Sequence, residues 1–552
     1  MRRTALTLLL VLGALLANAQ GYRNPVIPGY HPDPSVCRVG EKFYLVTSSF
    51  QYFPGVPIYE STDLAHWTQL GHVLTRDSQL PLQGANSWLG IYAPTIRYHE
   101  GIYYMVTTNV GYTGRGGFSA NFFVTATDPA GPWSEPKWVD QGGIDPSLLF
   151  DEGRCYFVSN PDDALTLCEI DPQTGQQLTP SQVIWRGTGG RYPEAPHIYK
   201  KDGWYYLLIA EGGTEMAHSL TIARSRHIYG PYEANPDNPI LTHCRQAAQT
   251  RPLQGTGHGD LVQAEDGSWW IVFLAFRTLG GSYHHLGRET CLAPVDWPEG
   301  GWPVVNGGQP IELDMADVSL PGSPAADGRY VNTAATGFAA MGTEWAHLQN
   351  PVAERYEHVG TALRLHGSPS SLTQNEQPTF VGRRQEAPAA TATVTLDATG
   401  LEPGDEAGLT VYQIHNGHLD IGLRRSADGR LTVVQRATIM SLEKETDLLT
   451  LTGPQATLRV STDGTNYTLS VAEGIHAGTG PDDTGSTDGT GSAGRTDGTG
   501  RTDGTGGFVS APPLSCPLVS TEVVGGFTGV FLGLYATGQG HADFLTFDYR
   551  EE

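Results

Sequence analysis

The sequence predicts an all-β chain, a five-bladed β-propeller followed by a β-sandwich, and three observations carry that prediction. Short β-rich runs alternate with Gly, Pro, Asn and Asp turns, and after the first residues no helical period lasts more than a couple of turns. One motif frame recurs five times in the first half of the chain. Beyond it, longer runs alternate apolar and polar residues, with hairpin signals between them. A length of 552 residues also exceeds what one hydrophobic core usually serves.

The N-terminus comes first. Arg2 and Arg3 precede an apolar run from Ala5 to Leu16, and "ANA" at Ala17 to Ala19 follows. That is the grammar of a secretory signal peptide, residues 1–19, with cleavage expected after Ala19. The run is too short to span a bilayer, and no Cys follows it to carry lipid. Export to the periplasm or the medium is expected, with no membrane partner after cleavage. A net charge of -24 argues against nucleic acid or anionic lipid as partner, because phosphate binding needs clustered Lys and Arg. Six cysteines in so long a chain make no disulfide framework, although Cys155 and Cys168 are candidates to pair across one hairpin. CxxC and HExxH patterns are absent, so no metal site is expected from motifs.

The propeller, residues 20–315, is read from the repeat. Asp33 in "YHPDPS" is followed by the strand "FYLV"; Ala93 has "YYMV" at the same offset, and Asp145 in "GIDPSLLF" has "CYFV". Glu194 in "PEAPHIYKKDGWYYLL" and His258 in "GHGDLVQAEDGSWWIV" keep that frame within one residue. Each unit is a short strand, a polar turn, an aromatic strand, more strand and an exit such as "LAHW", "GPW" or "GPY". The spacing of roughly 50 to 60 residues suits four-stranded blades. Inner strands of all blades line one axis, so Asp33, Ala93, Asp145, Glu194 and His258 should converge at one end of it. Asp-Pro is more often plain turn chemistry, but here an ionisable residue coincides with the repeat frame.

Propeller strands end near Pro310, and the stretch 316–328, with "LPGSPAADG", has the composition of a linker. Residues 329–552 then read as a second all-β domain, a two-sheet sandwich: "ATVTL", "GLTVYQIHNGHLDIGL" and "FTGVFLGLYA" alternate, with Asn416-Gly417 and Asp463-Gly464 as turns. Between Ala477 and Gly507 the chain becomes Thr-Asp-Gly-Thr-Gly copies almost devoid of apolar side chains. Such an insert cannot offset its ordering entropy, so a disordered loop at 477–507, dispensable for activity, is expected.

Three carboxylates and a histidine at one channel mouth suit cleavage of a glycosidic bond. That reaction needs an acid to protonate the leaving oxygen and a base to activate water opposite it. Two carboxyls in unlike environments divide those roles, and a third serves to orient and tune. Together "NPVIPGYHPDPSVCRVGEKFYLVTSSFQYFPGVPIYESTDLAHW", "IYAPTIRYHEGIYYMV", "GGIDPSLLF", "YPEAPHIYK" and "GTGHGDLV" resemble glycoside hydrolase family 43, in its branch of β-xylosidases and α-L-arabinofuranosidases. The second domain, with "PTFVGRRQE", "GVFLGLYATG" and "ADFLTFDY", resembles that branch's C-terminal concanavalin-like jelly roll.

The resemblance implies Asp33 as general base, Glu194 as general acid, and Asp145 as the residue that raises the pKa of Glu194 and holds it. It implies single displacement with inversion, release of terminal xylose or arabinofuranose from hemicellulose oligosaccharides, and no required cofactor. Phe50, Tyr92, His258 and Arg288 match substrate-contacting positions. Blade packing is the alternative reading for Phe50 and Tyr92. His258 is open to four readings: a substrate contact, a support for Asp33, a neighbour of an axial structural cation such as Ca2+, or a buried satisfied histidine. The family often has Trp at the Tyr92 position, a departure that bears on the preferred sugar. His31 and Trp88 lie near the site without a derivable role, and His284 and His285 read as loop residues over the pocket or polar surface. A non-catalytic glycan-binding propeller and an endo-acting arabinanase are the competing readings.

Overall fold

The structure is a computed structural model describing residues 21–115, 119–245, 250–323, 338, 341–475, 501–502 and 507–552. The expected leader, residues 324–328 of the expected linker and nearly all of the 477–507 insert lie outside the described residues.

Five antiparallel sheets follow one another along the first half of the chain and form the blades. Their innermost strands are Ser35–Val39, Thr95–His99, Ile144–Asp151, Glu194–Lys201 and Leu253–Gln263, each in contact with the next and the last with the first. The ring is closed by the N-terminal segment, not by a shared blade. Asn24 Nδ2 donates to Leu292 O at 3.1 Å and its Oδ1 accepts from Leu292 N at 2.9 Å, while Tyr22–Arg23 pairs with Asp314–Met315.

The repeated Asp-Pro has a specific cause in the backbone. Asp33, Asp145, Ala195 and His258 take φ of 55°, 53°, 55° and 42°, a region that costs ordinary residues energy. At three of these positions the ladder skips, from Ile144 to Ser147, Glu194 to His197 and Gly257 to Gly259. Proline at 146 and 196 has no N–H to give the ladder, so it is tolerated where a bulge breaks the pairing, and Pro34 stands just ahead of the strand Ser35–Val39. The frame therefore lands on Ala195, not Glu194: the proposed acid sits one residue ahead of the position equivalent to Asp33 and Asp145. That displacement sends the three carboxyls into the pocket from different backbone settings.

Farther along the inner strands, polar side chains meet on the axis. Ser35 Oγ donates to Asp260 Oδ2 at 2.6 Å, Arg97 Nη1 to the same oxygen at 2.7 Å, and Tyr199 OH to Asp260 Oδ1 at 2.6 Å. Ser147 Oγ and Arg97 Nη2 lie 3.0 and 2.9 Å from His197 Nδ1. Asp260 thus ties together inner strands of four blades directly, the third joins through Ser147, His197 and Arg97, and Arg97 supplies the balancing charge.

The second half is a sandwich of an eight-stranded and a nine-stranded sheet among the described residues. Leu409, Val411, Leu419 and Ile421 of the first pack with Val394, Leu396, Leu458 and Val460 of the second to form its core. The last strand of the eight comes from the propeller: Tyr52–Phe53 pairs with Trp345–Leu348, setting Phe53 opposite His347. The two domains therefore share a sheet next to Phe50.

Cys155 and Cys168 do lie on adjacent strands, yet Cys155 faces Ile170 and Cys168 faces Phe157, an offset that leaves both thiols free. Cys37, Cys155, Cys168, Cys291 and Cys516 are buried, and Cys244 is exposed beside the Thr242 hydroxyl.

Candidate active site

The propeller axis opens into a pocket of about 340 Å³, measured to its open mouth. Asp33, Asp145, Glu194, His258, Arg288, Phe50 and Tyr92 all line it, so every site residue read from the sequence is brought together. Ala93 lines it too, as the frame requires. Ile144, Thr214 and Phe527 complete the wall, and sequence reasoning misses all three.

Asp33 is the most tightly held of the three carboxyls. Arg288 Nη1 donates to its Oδ1 at 2.8 Å, Ser48 Oγ donates to its Oδ2, and His258 Nδ1 stands 3.5 Å from Oδ1. Burial pushes its pKa up, but Arg288, His258 and the Ser48 hydroxyl outweigh that and leave it below the ordinary carboxylate value. Asp33 is therefore an anion at neutral pH.

Glu194 is in the opposite condition. Burial first, then the negative charge of Asp33, push its pKa up to about 7, with Arg288 opposing. Asp145 is raised well above the ordinary range by burial and by the charges of Glu194 and Asp33, while the Ala195 N–H, donating to Asp145 Oδ2 at 3.2 Å, pulls it down. Two neighbouring buried carboxyls cannot both ionise cheaply, so the pair retains a proton where an isolated carboxyl would have lost it. The Ala195 bond also fixes the chain immediately after Glu194.

Arg288 holds the walls together. Besides Asp33 it donates to Thr214 Oγ1 at 3.1 Å and to the Phe527 carbonyl at 3.3 Å, and its guanidinium sits beside the contacting rings of Phe50 and Phe527, 5.6 and 5.7 Å from their centroids. Phe50 is 2 % exposed and packs on Tyr92 at 4.7 Å, so it serves both as blade packing and as pocket wall. Its φ of 46° and its bridge to Ile91 require Gly90, where a Cβ would sit 2.2 Å from Phe50 O. Tyr92 is anchored by its hydroxyl, which donates to Trp88 O at 2.6 Å.

Phe527 belongs to the sandwich. Its loop is pinned to the propeller: Phe527 N donates to Ser87 O at 3.0 Å, and the Ser87 and Thr528 hydroxyls meet at 2.5 Å. A Cβ on Gly526, whose φ is +88°, would stand 2.3 Å from Ser87 Oγ, so only glycine lets the loop approach this closely. "GGF" is the available sequence signal, an aromatic behind two glycines, but nothing in one sequence points it at the other domain.

The remaining histidines have structural places. His31 is fully buried, 3.1 Å from the Tyr59 hydroxyl, and its backbone N–H donates to Arg288 O at 3.0 Å, which steadies the arginine's backbone. His284 and His285 are buried, not polar surface: His284 Nδ1 is 2.6 Å from Glu522 Oε1 and stacks on Phe276, and His285 packs against Tyr467. His258 has Asp33 at 3.5 Å, with Arg288, Asp260, His218 and His197 as further charged or titratable neighbours. Among the described residues no group of three or more His, Cys, Asp or Glu side chains is placed to hold a metal ion.

Two family profiles match the chain: Glycosyl hydrolases family 43 over residues 22–303, and Beta xylosidase C-terminal Concanavalin A-like domain over residues 338–486 and 499–550. A non-reducing end alpha-L-arabinofuranosidase of Bacteroides ovatus is 39% identical over 573 residues, covering 100% of this chain and 99% of its own. A xylosidase/arabinosidase of Butyrivibrio fibrisolvens is 40% identical over 429 residues, 73% of this chain and 80% of that one. The solved structure of a Bacteroides ovatus xyloglucan PUL GH43B superposes with a TM-score of 0.84 at 37% identity, over 97% of this chain and 100% of the other. With the propeller, its three carboxyls and the concanavalin-like sandwich in place, the chain belongs to glycoside hydrolase family 43.

Proposed function

We propose that this enzyme is an exo-acting, inverting glycosidase that removes a terminal non-reducing pentose from hemicellulose-derived oligosaccharides of xylan, arabinoxylan or xyloglucan. The observation that carries the reading is the divergence of Asp33 and Glu194 within one small pocket. One is held ionised and the other protonated near neutrality. Asp33 accepts a proton from a water as that water attacks the anomeric carbon. Glu194 gives its proton to the glycosidic oxygen as the C–O bond breaks, so a single displacement inverts the anomeric centre. Asp145 positions Glu194 through the Ala195 N–H and titrates together with it, so that the two neighbouring carboxyls keep a proton between them. An Asp33 to Glu194 carboxyl separation of about 6.5–9.5 Å, leaving room for that water, belongs to this reading.

Phe50, Tyr92 and Phe527 give the sugar's C–H faces apolar walls, while Arg288, Thr214 and His258 offer polar groups to its hydroxyls. The full-length relative bears the name of an arabinofuranosidase, which puts α-L-arabinofuranose first and β-D-xylose, supported by the Butyrivibrio relative's name, second. No step requires a cofactor. The leader-like N-terminus supports export to the periplasm or medium.

Hydrolysis of aryl α-L-arabinofuranoside and aryl β-D-xylopyranoside, with NMR of the first-formed sugar anomer, tests the proposal. Cleavage with inversion is expected, and the ratio of the two kcat/KM values ranks the sugars. A retained anomer refutes the mechanism. Binding of oligosaccharides without cleavage would leave a glycan-binding propeller, and release of internal fragments an endo-acting enzyme.

A further inference from the structure

A buried carboxylate that the reaction does not use stands beside the general acid. Glu211 ends the strand Trp204–Glu211, which pairs with Glu194–Lys201 in a register that sets Glu194 opposite Ala210. It is 2 % exposed, and its side chain turns toward the chain that leads into Glu194. Both of its oxygens are used twice. Oε1 accepts from Thr188 N and Gly190 N, each at 2.9 Å, and Oε2 accepts from Thr188 Oγ1 at 2.8 Å and Thr221 Oγ1 at 2.6 Å. Four donors suit a carboxylate, which only accepts when ionised. We propose that Glu211 is a positioning residue for the general acid: it fixes the loop 187–193, and through that loop the place and direction at which Glu194 enters the pocket. The proposal rests on the glycosidase reading above.

The loop needs such an anchor. Its sequence, "GTGGRYP", holds three glycines; Thr188, Gly189, Gly190, Arg191 and Tyr192 are exposed, and Pro193 is its first buried side chain. Glycine-rich backbone has the most conformational freedom to lose, so hydrogen bonds to one fixed group must offset the cost of ordering it. Two of the glycines answer to Glu211 itself. A Cβ on Gly187 would stand 2.5 Å from Glu211 Oε1, and one on Gly190 would stand 2.9 Å from Glu211 Cβ, so the loop wraps the carboxylate at a distance that only glycine allows. Farther along, Gly212 N donates to Arg191 O at 2.7 Å and Asn160 Nδ2 to Pro193 O at 2.9 Å. Asn160 lies opposite Ile144 in the strand pair that carries Asp145, and Asp145 Oδ2 accepts from Ala195 N at 3.2 Å. The residues on either side of Glu194 are thus tied to the blade of Asp145, and Glu211 supplies the fixed point from the acid's own blade. The charges that move the Glu194 pKa are those of Asp33 and Arg288, so Glu211 acts through the backbone.

Glu211→Met keeps the length of the side chain and removes all four acceptor contacts. Glu211→Gln keeps its shape: the amide oxygen can accept from the two N–H groups, and the NH2 can donate to hydroxyls that are free to rotate. Two substrates separate a misplaced acid from general damage: an alkyl pentoside, whose leaving oxygen needs a proton, and a dinitrophenyl pentoside, whose leaving group does not. A misplacement of about 1 Å costs about 10²-fold, so Glu211→Met is expected to lose about 10–10²-fold in kcat/KM on the alkyl pentoside and little on the dinitrophenyl one, with Glu211→Gln close to wild type. Equal losses on the two substrates, or a Gln variant no better than Met, overturn the proposal. Hydrogen exchange of the segment 187–193 in the full-length chain gives a readout independent of turnover. Protection of the Thr188 and Gly190 amides is expected to vanish in Glu211→Met and survive in Glu211→Gln; unchanged protection in Glu211→Met refutes the anchor, whatever the enzyme cleaves. A wild type inert on both pentosides would remove the glycosidase reading instead, and the exchange data would still decide whether Glu211 holds the loop.

Discussion

Replacing Arg288 by methionine tests the pocket's electrostatics directly, because both catalytic carboxyls answer to the same guanidinium. Native Asp33 is kept low by Arg288 ahead of His258 and Ser48, and native Glu194 is lowered by Arg288 alone among its neighbours. Methionine fills much of the space but carries no charge. An opposite charge within ~4–6 Å lowers a carboxyl's pKa by about 1–3, so removing it lets burial raise Asp33 by that order. Glu194, at about 7 in the native enzyme, rises with it. In the free enzyme the acid limb of kcat/KM reports Asp33 and the alkaline limb Glu194, so the whole bell moves to higher pH. A pKa change of one corresponds to about 1.4 kcal/mol, and the uncompensated carboxylate costs about 3–5 kcal/mol of stability where it stays ionised. The assay is kcat/KM against pH on an aryl glycoside, with Tm measured at each pH to separate inactivation from titration. Arg288→Lys is the control: it restores the charge, hence the limbs, but not the fork that also reaches Thr214 and Phe527. A Met variant slowed equally at all pH, with both limbs unmoved, would refute the assignment.

Three other outcomes follow from the same geometry. Glu194→Gln should slow a natural disaccharide by about 10²–10⁴-fold and an activated aryl glycoside much less, since a good leaving group needs little acid help; equal losses on both would remove Glu194 as the acid. Gly526→Ala puts a Cβ 2.3 Å from Ser87 Oγ at a φ of +88°, so about 1–2 kcal/mol of strain should shift the Phe527 loop and raise KM for both pentosides. An unaltered KM would show that Phe527 does not wall the sugar. His197, His218 and His285 are buried and neutral, each with a pKa lowered to about 3, mainly by burial. Below the ordinary value of 6.5 the unfolded chain takes up protons that the fold refuses, so stability is full above 6.5 and falls as pH drops toward 3. The slope is about 1.4 kcal/mol per pH unit for each histidine, and a Tm that stays flat from neutrality to mild acid contradicts it.

The carboxylates are legible in the sequence because the backbone feature that aims them has a chemical signature. A bulge or a strand entrance tolerates proline, and the repeated Asp-Pro marks one of each in the same frame, the bulge at Asp145 and the entrance at Asp33. Glu194 emerges from the same frame but misplaced within it, since only the register shows that Ala195 carries the positive φ. The Arg97–Asp260 pair escapes sequence reasoning for a related reason. Arg97 sits in "TIRYHEG", which reads as an ordinary half-exposed strand, and its partner lies 163 positions away. Ring closure alone brings them together. The cysteines show the limit from the other side: the hairpin is readable, but a two-residue stagger across it decides against a disulfide, and stagger is fixed by turn length and packing rather than by the cysteines.

Phe527 carries the larger lesson, because it makes the pocket a property of neither domain alone. The sandwich reaches the site along two routes. One is Phe527 itself, docked on Ser87 and held by Arg288. The other is Phe50, whose loop continues into Tyr52–Phe53 and becomes the last strand of the sandwich sheet. Tyr52 stacks on Phe531 at 3.9 Å, and Arg384 Nε donates to Tyr30 O at 2.7 Å, so the loops bearing Asp33 and Phe50 are braced from behind by sandwich strands. A propeller without its sandwich would keep Asp33, Asp145 and Glu194 on their inner strands, yet lose the wall opposite Phe50 and the carbonyl that steadies Arg288. Open on that side, the same three carboxyls would face a cleft through which a chain could pass. The proposed exo action therefore rests on the wall that Phe527 of the second domain supplies as much as on the carboxyls.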